Sequence, residues 1–442
     1  MNATSRTKQP DIRLISWSPD RSVPVLTRFL KRPAVDPKAE EVAQRVLDDI
    51  RRKGNTAVLR YIREYDGVKL TASKLAVSSE EIQTAREQVD REFRLAAGEA
   101  LQRIIRFSRA AMRRDWSISS PKGGQIGERF VPIERVGAYI PGGAAPLVST
   151  ALMTVGLARV AEVPEIVACT PAGKNGRVNP YLLYALDLAG ATEIYRIGGI
   201  QAIGAMAYGT KTVPRVQKIV GPGGPYVTAA KRLVYGRVAL DMVAGPSEIA
   251  IFADDSVSPA HVAADLLSQA EHGTGQEKAL LVTSSMRLAE AVRKELLKQA
   301  EYLDRQGPVY EVLHRGTLLV AAETLEAGMD LINEFAPEHL ELMVREPRAW
   351  LKKVRAAGAV FVGPWTPESV GDFAAGPSHV LPTGGTAAMF SGLSVDDFRK
   401  RMSVMLFTSA DLKETLPVIE AFGRVEGLDA HARSASIRFD RR

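Results

Sequence analysis

The chain has 442 residues, room for roughly two to four domains at about 150 residues each. With 45% hydrophobic and 25% charged residues it is not a disordered chain, a collagen-like fibre or a coiled-coil rod. Lys and Arg outnumber Asp and Glu by 58 to 51, a formal +7 dispersed along the sequence. The densest basic runs, Arg51-Arg52-Lys53 and Arg399-Lys400-Arg401, read as solvated helix faces rather than a nucleic-acid site.

Met1 to Arg13 is polar and lacks the apolar core of a signal peptide. The most apolar stretch, Ala145 to Ala158, is too short to span a bilayer. The single cysteine, Cys169, rules out an intramolecular disulfide and sits in a run that reads as a buried strand, so its expected role is packing. A cytoplasmic protein is the expectation.

From Pro37 to Trp116 the pattern is mostly helical, with Val42, Val46, Leu47 and Ile50 at helix spacing. Beyond it, short β-branched runs alternate with helical ones, the mark of α/β layering. Strands are expected at Glu165-Cys169, Glu193-Ile197 and Lys218-Val220, with helices at Pro180-Leu188, Gln201-Tyr208 and Pro225-Val234. A second block repeats the alternation. Its strands are Glu248-Phe252, Leu280-Thr283, Thr317-Val320, Leu340-Val344 and Ala359-Val362. Its helices are Pro259-His272, Arg287-Ala300, Leu325-Glu334 and Ala349-Ala356. The fold class is therefore α/β, with two Rossmann-like domains, a helical N-terminal part and a small C-terminal segment. The expected division is an arm over 1–36, a main domain of 37–130 plus 237–380, a second Rossmann-like domain over 131–236, and a C-terminal segment over 381–442, a Gly-rich turn followed by a last helical region.

Glycines follow several strands, at Ile140-Pro141-Gly142-Gly143, Gly198-Gly199 and Gly221-Pro222-Gly223-Gly224. In open α/β sheets ligands bind at the carboxyl ends of strands, where glycine permits close backbone approach. The G-x-G-x-x-G fingerprint of dinucleotide sites is absent, so these turns taken alone favour ordinary loop duty over a nucleotide site.

Six histidines are present. Ser258-Pro259 opens a helix and Gly273 closes it; on that helix Gln269 and His272 lie three apart and share a face. An imidazole and a carboxamide oxygen so spaced can touch one metal ion. Pro337-Glu338-His339 leads into a strand, and an adjacent acid and imidazole can divide two proton transfers. The local alternative is an exposed glutamate beside a strand-edge histidine. Asp372 and His379 flank a Gly- and Pro-rich loop, and Glu426 and His431 lie near the C-terminus, where solvated side chains are the ordinary reading.

With these residues assembled, the chain resembles histidinol dehydrogenase. The most specific matches are Asp241-Met242-Val243-Ala244-Gly245-Pro246-Ser247-Glu248 and Asp265-Leu266-Leu267-Ser268-Gln269-Ala270-Glu271-His272-Gly273. Val136-Gly137-Ala138-Tyr139-Ile140-Pro141-Gly142-Gly143, Ile197-Gly198-Gly199-Ile200-Gln201-Ala202-Ile203, Ala336-Pro337-Glu338-His339-Leu340, His379-Val380-Leu381-Pro382-Thr383-Gly384 and Glu426-Gly427-Leu428-Asp429-Ala430-His431 agree, in the family's order, over roughly 130 to 438.

The resemblance implies a zinc- and NAD-dependent, four-electron oxidation of L-histidinol through L-histidinal to L-histidine, the last step of histidine biosynthesis. It implies zinc on Gln269, His272, Asp372 and His431, and catalysis by His339 as the base for the alcohol proton and Glu338 as the activator of water. It implies substrate contacts from Ser247, Gln269, His272, His339, Asp372, Glu426 and His431, with His379 at the border of the pocket. NAD contacts map to Tyr139, Gln201 and Gly224. It also implies an intertwined homodimer whose exchanged C-terminal segment brings Glu426 and His431 to the neighbouring subunit's site.

Gly224 departs from the family, which usually carries asparagine there. A lost side-chain hydrogen bond is worth roughly 0.5–1.5 kcal/mol, so NAD affinity about tenfold lower is expected. Two other readings stand beside this one: a related zinc/NAD dehydrogenase of another diol, such as a sulfonated propanediol, and a non-catalytic paralogue that binds a ligand or a partner.

Overall fold

The computed structural model describes residues 9–32, 36–142, 146–242, 245–272 and 275–440. Two parallel sheets form its centre. A six-stranded sheet runs in the order Arg13–Trp17, Thr317–Ala322, Lys278–Thr283, Glu248–Ala253, His339–Met343, Ala359–Val362. A five-stranded sheet runs Glu193–Arg196, Glu165–Thr170, Arg135–Tyr139, Lys218–Val220, Ala239–Leu240. Their inner strands are buried nearly end to end and mostly apolar, as sheets covered by helices on both faces must be. The order steps outward from Glu248–Ala253 in the larger sheet and from Arg135–Tyr139 in the smaller, then reverses to the other side, giving the two Rossmann-like α/β layers expected. Cys169 is buried in its strand, and burial pushes its thiol up, out of the reactive range. No helix among the described residues is long and apolar enough to cross a membrane.

Several expected boundaries change. The segment over 1–36 is not a free arm: Arg13–Trp17 is an edge strand of the six-stranded sheet, paired with Thr317–Ala322. The helical N-terminal part packs on the five-stranded sheet's layer, not on the main domain with which it was grouped. Leu47 and Ile50 of the helix Pro37–Lys53 lie against Gly204, where a Cβ would stand 2.8 Å from Ile50. Leu101 and Ile104 of Arg91–Ala111 meet Gly156 in the same way. Glycine on the receiving helix lets the axes approach, and truncating a buried leucine in such a seam costs about 2–5 kcal/mol. Ala239–Leu240 extends the five-stranded sheet past 236. The helix expected at Ala349-Ala356 is shorter, Pro347–Leu351.

Arg399-Lys400-Arg401 opens a strand, not a helix. Arg399–Leu406 pairs antiparallel with Gln125–Pro132, which pairs with Trp116–Ser119. The partner strands lie some 270 residues apart in sequence, so no local pattern announces them. Two helices follow, Ser409–Glu426 and Asp429–Ser436, tied to this sheet through Asp411, which accepts hydrogen bonds from Ser120 Oγ and the Lys122 and Gly124 N–H groups. This C-terminal unit leaves Met405, Leu406, Phe422 and Val425 exposed, Val425 to 81%.

Candidate active site

Glu248 and His339 begin neighbouring strands of the six-stranded sheet. The main chain of Glu248 grips both members of the Glu338-His339 pair. Its N–H donates to Glu338 Oε2 at 2.8 Å, and its carbonyl accepts from His339 Nδ1 at 3.1 Å. A carbonyl has no hydrogen to give, so Nδ1 carries the ring hydrogen and Nε2 keeps its lone pair. Arg32 holds Glu248 from the other side, ion-paired with its carboxylate at 2.7 Å and bonded to the Phe335 carbonyl. Ala336, in the left-handed region at φ 45°, ends the helix Leu325–Phe335 and turns the chain into the strand.

Glu338 is therefore not an exposed strand-edge residue; it is 5% exposed and His339 3%. Burial drives the imidazole down to about 4 against the opposing pull of Asp372, and drives the Glu338 carboxyl well above the carboxylate range. His339 Nε2 faces Asp372 Oδ1 at 3.7 Å and has no hydrogen-bond partner among the described residues. The centre lies at the amino ends of these strands, where the sequence places the Glu338-His339 pair, on the turn leading into its strand.

Gln269 ends the helix Pro259–Ala270 fully buried, and among the described residues neither carboxamide atom has a partner. A buried amide left unpaired costs about 1–3 kcal/mol, which argues for an occupant. Ser258 caps that helix by position, without a side-chain bond; Gly273 lies outside the described residues. His272, Glu368 and Asp372 offer ligand atoms all within 4.8 Å of one another. Carboxamide, imidazole and carboxylate make a nitrogen and oxygen donor set that fits zinc.

Glu368 was missed by sequence reasoning. It lies one turn before Asp372 on the helix Glu368–Phe373, so the two share a face. Its Oε2 accepts from Ser268 Oγ, and its N–H donates to Glu341 Oε1 at 2.7 Å. Its Oε1 lies 3.6 Å from His339 Nδ1, and burial pushes its carboxyl up to about 8. The available signal was the four-residue spacing to Asp372.

A cavity of about 410 Å³ opens in front of His339, bordered by Asp372, His379, Phe361, Leu157 and Leu393. His379 is thus at the pocket, its Nε2 3.4 Å from Thr150 Oγ1, and burial lowers its pKa. Ser247, half-buried, directly precedes Glu248. Glu426 and His431 are exposed on the C-terminal helices, and neither hydrogen-bonds nor ion-pairs with these groups among the described residues.

The glycine turns gather at the carboxyl ends of the five-stranded sheet, where the strand order reverses between Arg135–Tyr139 and Lys218–Val220. Tyr139 is buried, its hydroxyl accepting from the Gly199 N–H at 3.1 Å. Gln201, 1% exposed, donates from Nε2 to Asp66 Oδ2 at 3.2 Å, while its Oε1 has no partner among the described residues. Gly221, at φ 115°, is pinned on both sides: its N–H donates to Asp241 Oδ2, and its carbonyl accepts from Lys231 Nζ, each at 2.8 Å. Lys231 and Asp241 are themselves paired at 2.5 Å. A Cβ at Gly223 would stand 2.3 Å from Val227, and one at Gly142 2.2 Å from Pro171, so bare backbone lines the crevice. An orphaned buried carboxamide oxygen and a glycine cradle fit a dinucleotide. Gly224 caps the helix Pro225–Val234 with open space where a side chain would project.

A family described as histidinol dehydrogenase matches residues 30–439. The chain is 42% identical over 430 residues to a histidinol dehydrogenase of Heliobacterium mobile, covering 97% of this chain and 100% of that one. It is 44% identical over 413 residues to that of Geobacillus kaustophilus, covering 93% and 97%. The crystal structure of histidinol dehydrogenase from Elizabethkingia anophelis superposes with a TM-score of 0.91 at 34% identity, covering 98% of this chain and 99% of that one.

Proposed function

The chain belongs to the histidinol dehydrogenase family, and from that premise we propose that it oxidises L-histidinol by four electrons to L-histidine, through L-histidinal, with zinc and two equivalents of NAD. The observation that carries this reading is the free Nε2 of His339, its tautomer fixed by the Glu248 carbonyl, facing Asp372 at the cavity.

Gln269, His272 and Asp372 would hold the zinc, and Tyr139, Gln201 and the Gly221–Gly224 backbone the NAD. When bound, zinc supplies positive charge that fixes the amino alcohol, and NAD accepts a hydride from the carbinol carbon in each of two rounds. His339 Nε2 takes the hydroxyl proton in the first oxidation. Burial keeps this imidazole neutral near pH 7, ready as a base. In the second round Glu338 takes a proton from the water that adds to the aldehyde carbon. Its raised pKa makes its carboxylate a stronger base than an ordinary glutamate. As the water adds, the proton His339 took in the first round passes to the aldehyde oxygen, which forms the hydrate and leaves the imidazole neutral again; His339 then takes one hydrate hydroxyl proton as the second hydride leaves, and the product acid ionises. One water is consumed and two NADH form per histidinol.

A homodimer completes this reading. The exposed apolar residues of the C-terminal unit support burial against a second copy, and His431 and Glu426 would complete the partner's site. The test is NADH formation from L-histidinol by zinc-loaded protein, with a chelator control; turnover of sulfonated diols but not histidinol would favour the related dehydrogenase instead.

A further inference from the structure

Asp66 ends a single π-helical turn, Ile62–Asp66, in the N-terminal helical part, and Gly67 follows in the left-handed region. Such turns recur at functional sites. Its half-buried carboxylate enters the crevice from an element outside the five-stranded sheet. It makes no ion pair among the described residues; its hydrogen bond is to Gln201 Nε2. It lies close enough to raise the pKa of Tyr139, and burial pushes Asp66 itself up to about 6. Asp66 thus faces two of the groups the cofactor reading uses. A carboxylate held partly out of water without a cation normally needs hydroxyl or N–H donors.

In ordinary dinucleotide folds an acid at the end of the second strand binds a ribose diol. Here the second strand, Glu165–Thr170, ends in Thr170-Pro171, and the buried Thr170 hydroxyl has no partner among the described residues. The acid is missing from that place, while Asp66 on another element stands beside Gln201.

We infer that Asp66 is the ribose-recognising residue of this enzyme, its carboxylate accepting hydroxyl hydrogens from a cis-diol of the bound dinucleotide while Gln201 Nε2 orients it. The inference rests on the NAD reading above. It assigns Asp66 a part in cofactor affinity and none in zinc binding or proton transfer.

The test is titration calorimetry of the zinc-loaded enzyme and its Asp66→Asn variant with NAD and with ADP, alongside zinc content and melting temperature. Asparagine keeps the shape and an acceptor for Gln201. We expect NAD binding to weaken about ten- to hundredfold with zinc content unchanged. Equal weakening for ADP places the diol on the adenosine ribose; weakening for NAD alone places it on the nicotinamide ribose. Unchanged NAD affinity overturns the inference. A parent enzyme that binds no NAD overturns the cofactor reading itself, a distinct result. Asp66→Ser serves the same purpose if the asparagine variant does not fold.

Discussion

The main chain of Glu248 holds His339 through its carbonyl, 3.1 Å from Nδ1, and so decides which imidazole nitrogen is free. The same residue's N–H holds Glu338. Two neighbouring side chains hang on the main chain of one residue at the amino end of a parallel strand, and Arg32 anchors that residue through its carboxylate. The division of labour is set by backbone register, which adjacent residues on one strand could not achieve by side-chain alternation alone.

Removing the base should be costly at the chemical step. His339→Asn is expected to lower kcat about 10²- to 10⁴-fold while retaining zinc. Steady-state rates with metal analysis check this, and a near-parental kcat contradicts it.

Glu368 should matter to the metal although the sequence reading overlooked it. It sits with His272 and Asp372 and is held by Ser268. Glu368→Gln is expected to weaken zinc affinity about 10- to 100-fold, the usual span for groups that orient ligands. Competition against a chromophoric chelator measures it; unchanged affinity would reduce Glu368 to packing.

Gly224→Asn should restore cofactor affinity. The position has room for a side chain, and its φ of −67° suits any residue. One regained hydrogen bond predicts NAD binding up to about tenfold tighter. No change in Kd would mean that the backbone already satisfies the cofactor there.

Asp66 should cost stability at neutral pH. An aspartate raised to about 6 holds its proton in the folded state after the unfolded chain has released it. The folded state binds more protons between about pH 4 and 6, so stability falls as pH rises through that window. After discounting for partial exposure the effect is on the order of 1 kcal/mol. Asp66→Asn without cofactor should therefore match the parent near pH 4 and melt higher at pH 7; a parallel pair of melting curves contradicts this.

Shared sites predict complementation. A His339→Asn chain and a His431→Asn chain, each inactive alone, should regain about a quarter of parental activity on random mixing, because half of the mixed dimers' sites are intact. Absence of recovery, with mixed dimers demonstrated, contradicts an exchanged C-terminal segment.

Much of the fold was legible because its information is local. Lys218–Val220, Pro225–Val234 and Ala359–Val362 stand where period and punctuation put them. What escaped depends on distant partners. Arg399–Leu406 is a strand only because Gln125–Pro132 lies beside it, and its basic start mimics a helix face. The site follows the same division. Motifs pointed to Glu338, His339, Gln269, His272 and Asp372, but not to the role of the Glu248 backbone, or to Glu368 and Asp66. Those depend on which chain segments the sheets bring side by side.

The most direct measurement counts NADH formed per L-histidinol consumed by the zinc-loaded protein. Two NADH per substrate, abolished by chelation and restored by zinc, is the predicted result. One NADH with accumulating aldehyde would contradict the assignment of a second round to Glu338, and no NADH from histidinol would contradict the proposed reaction.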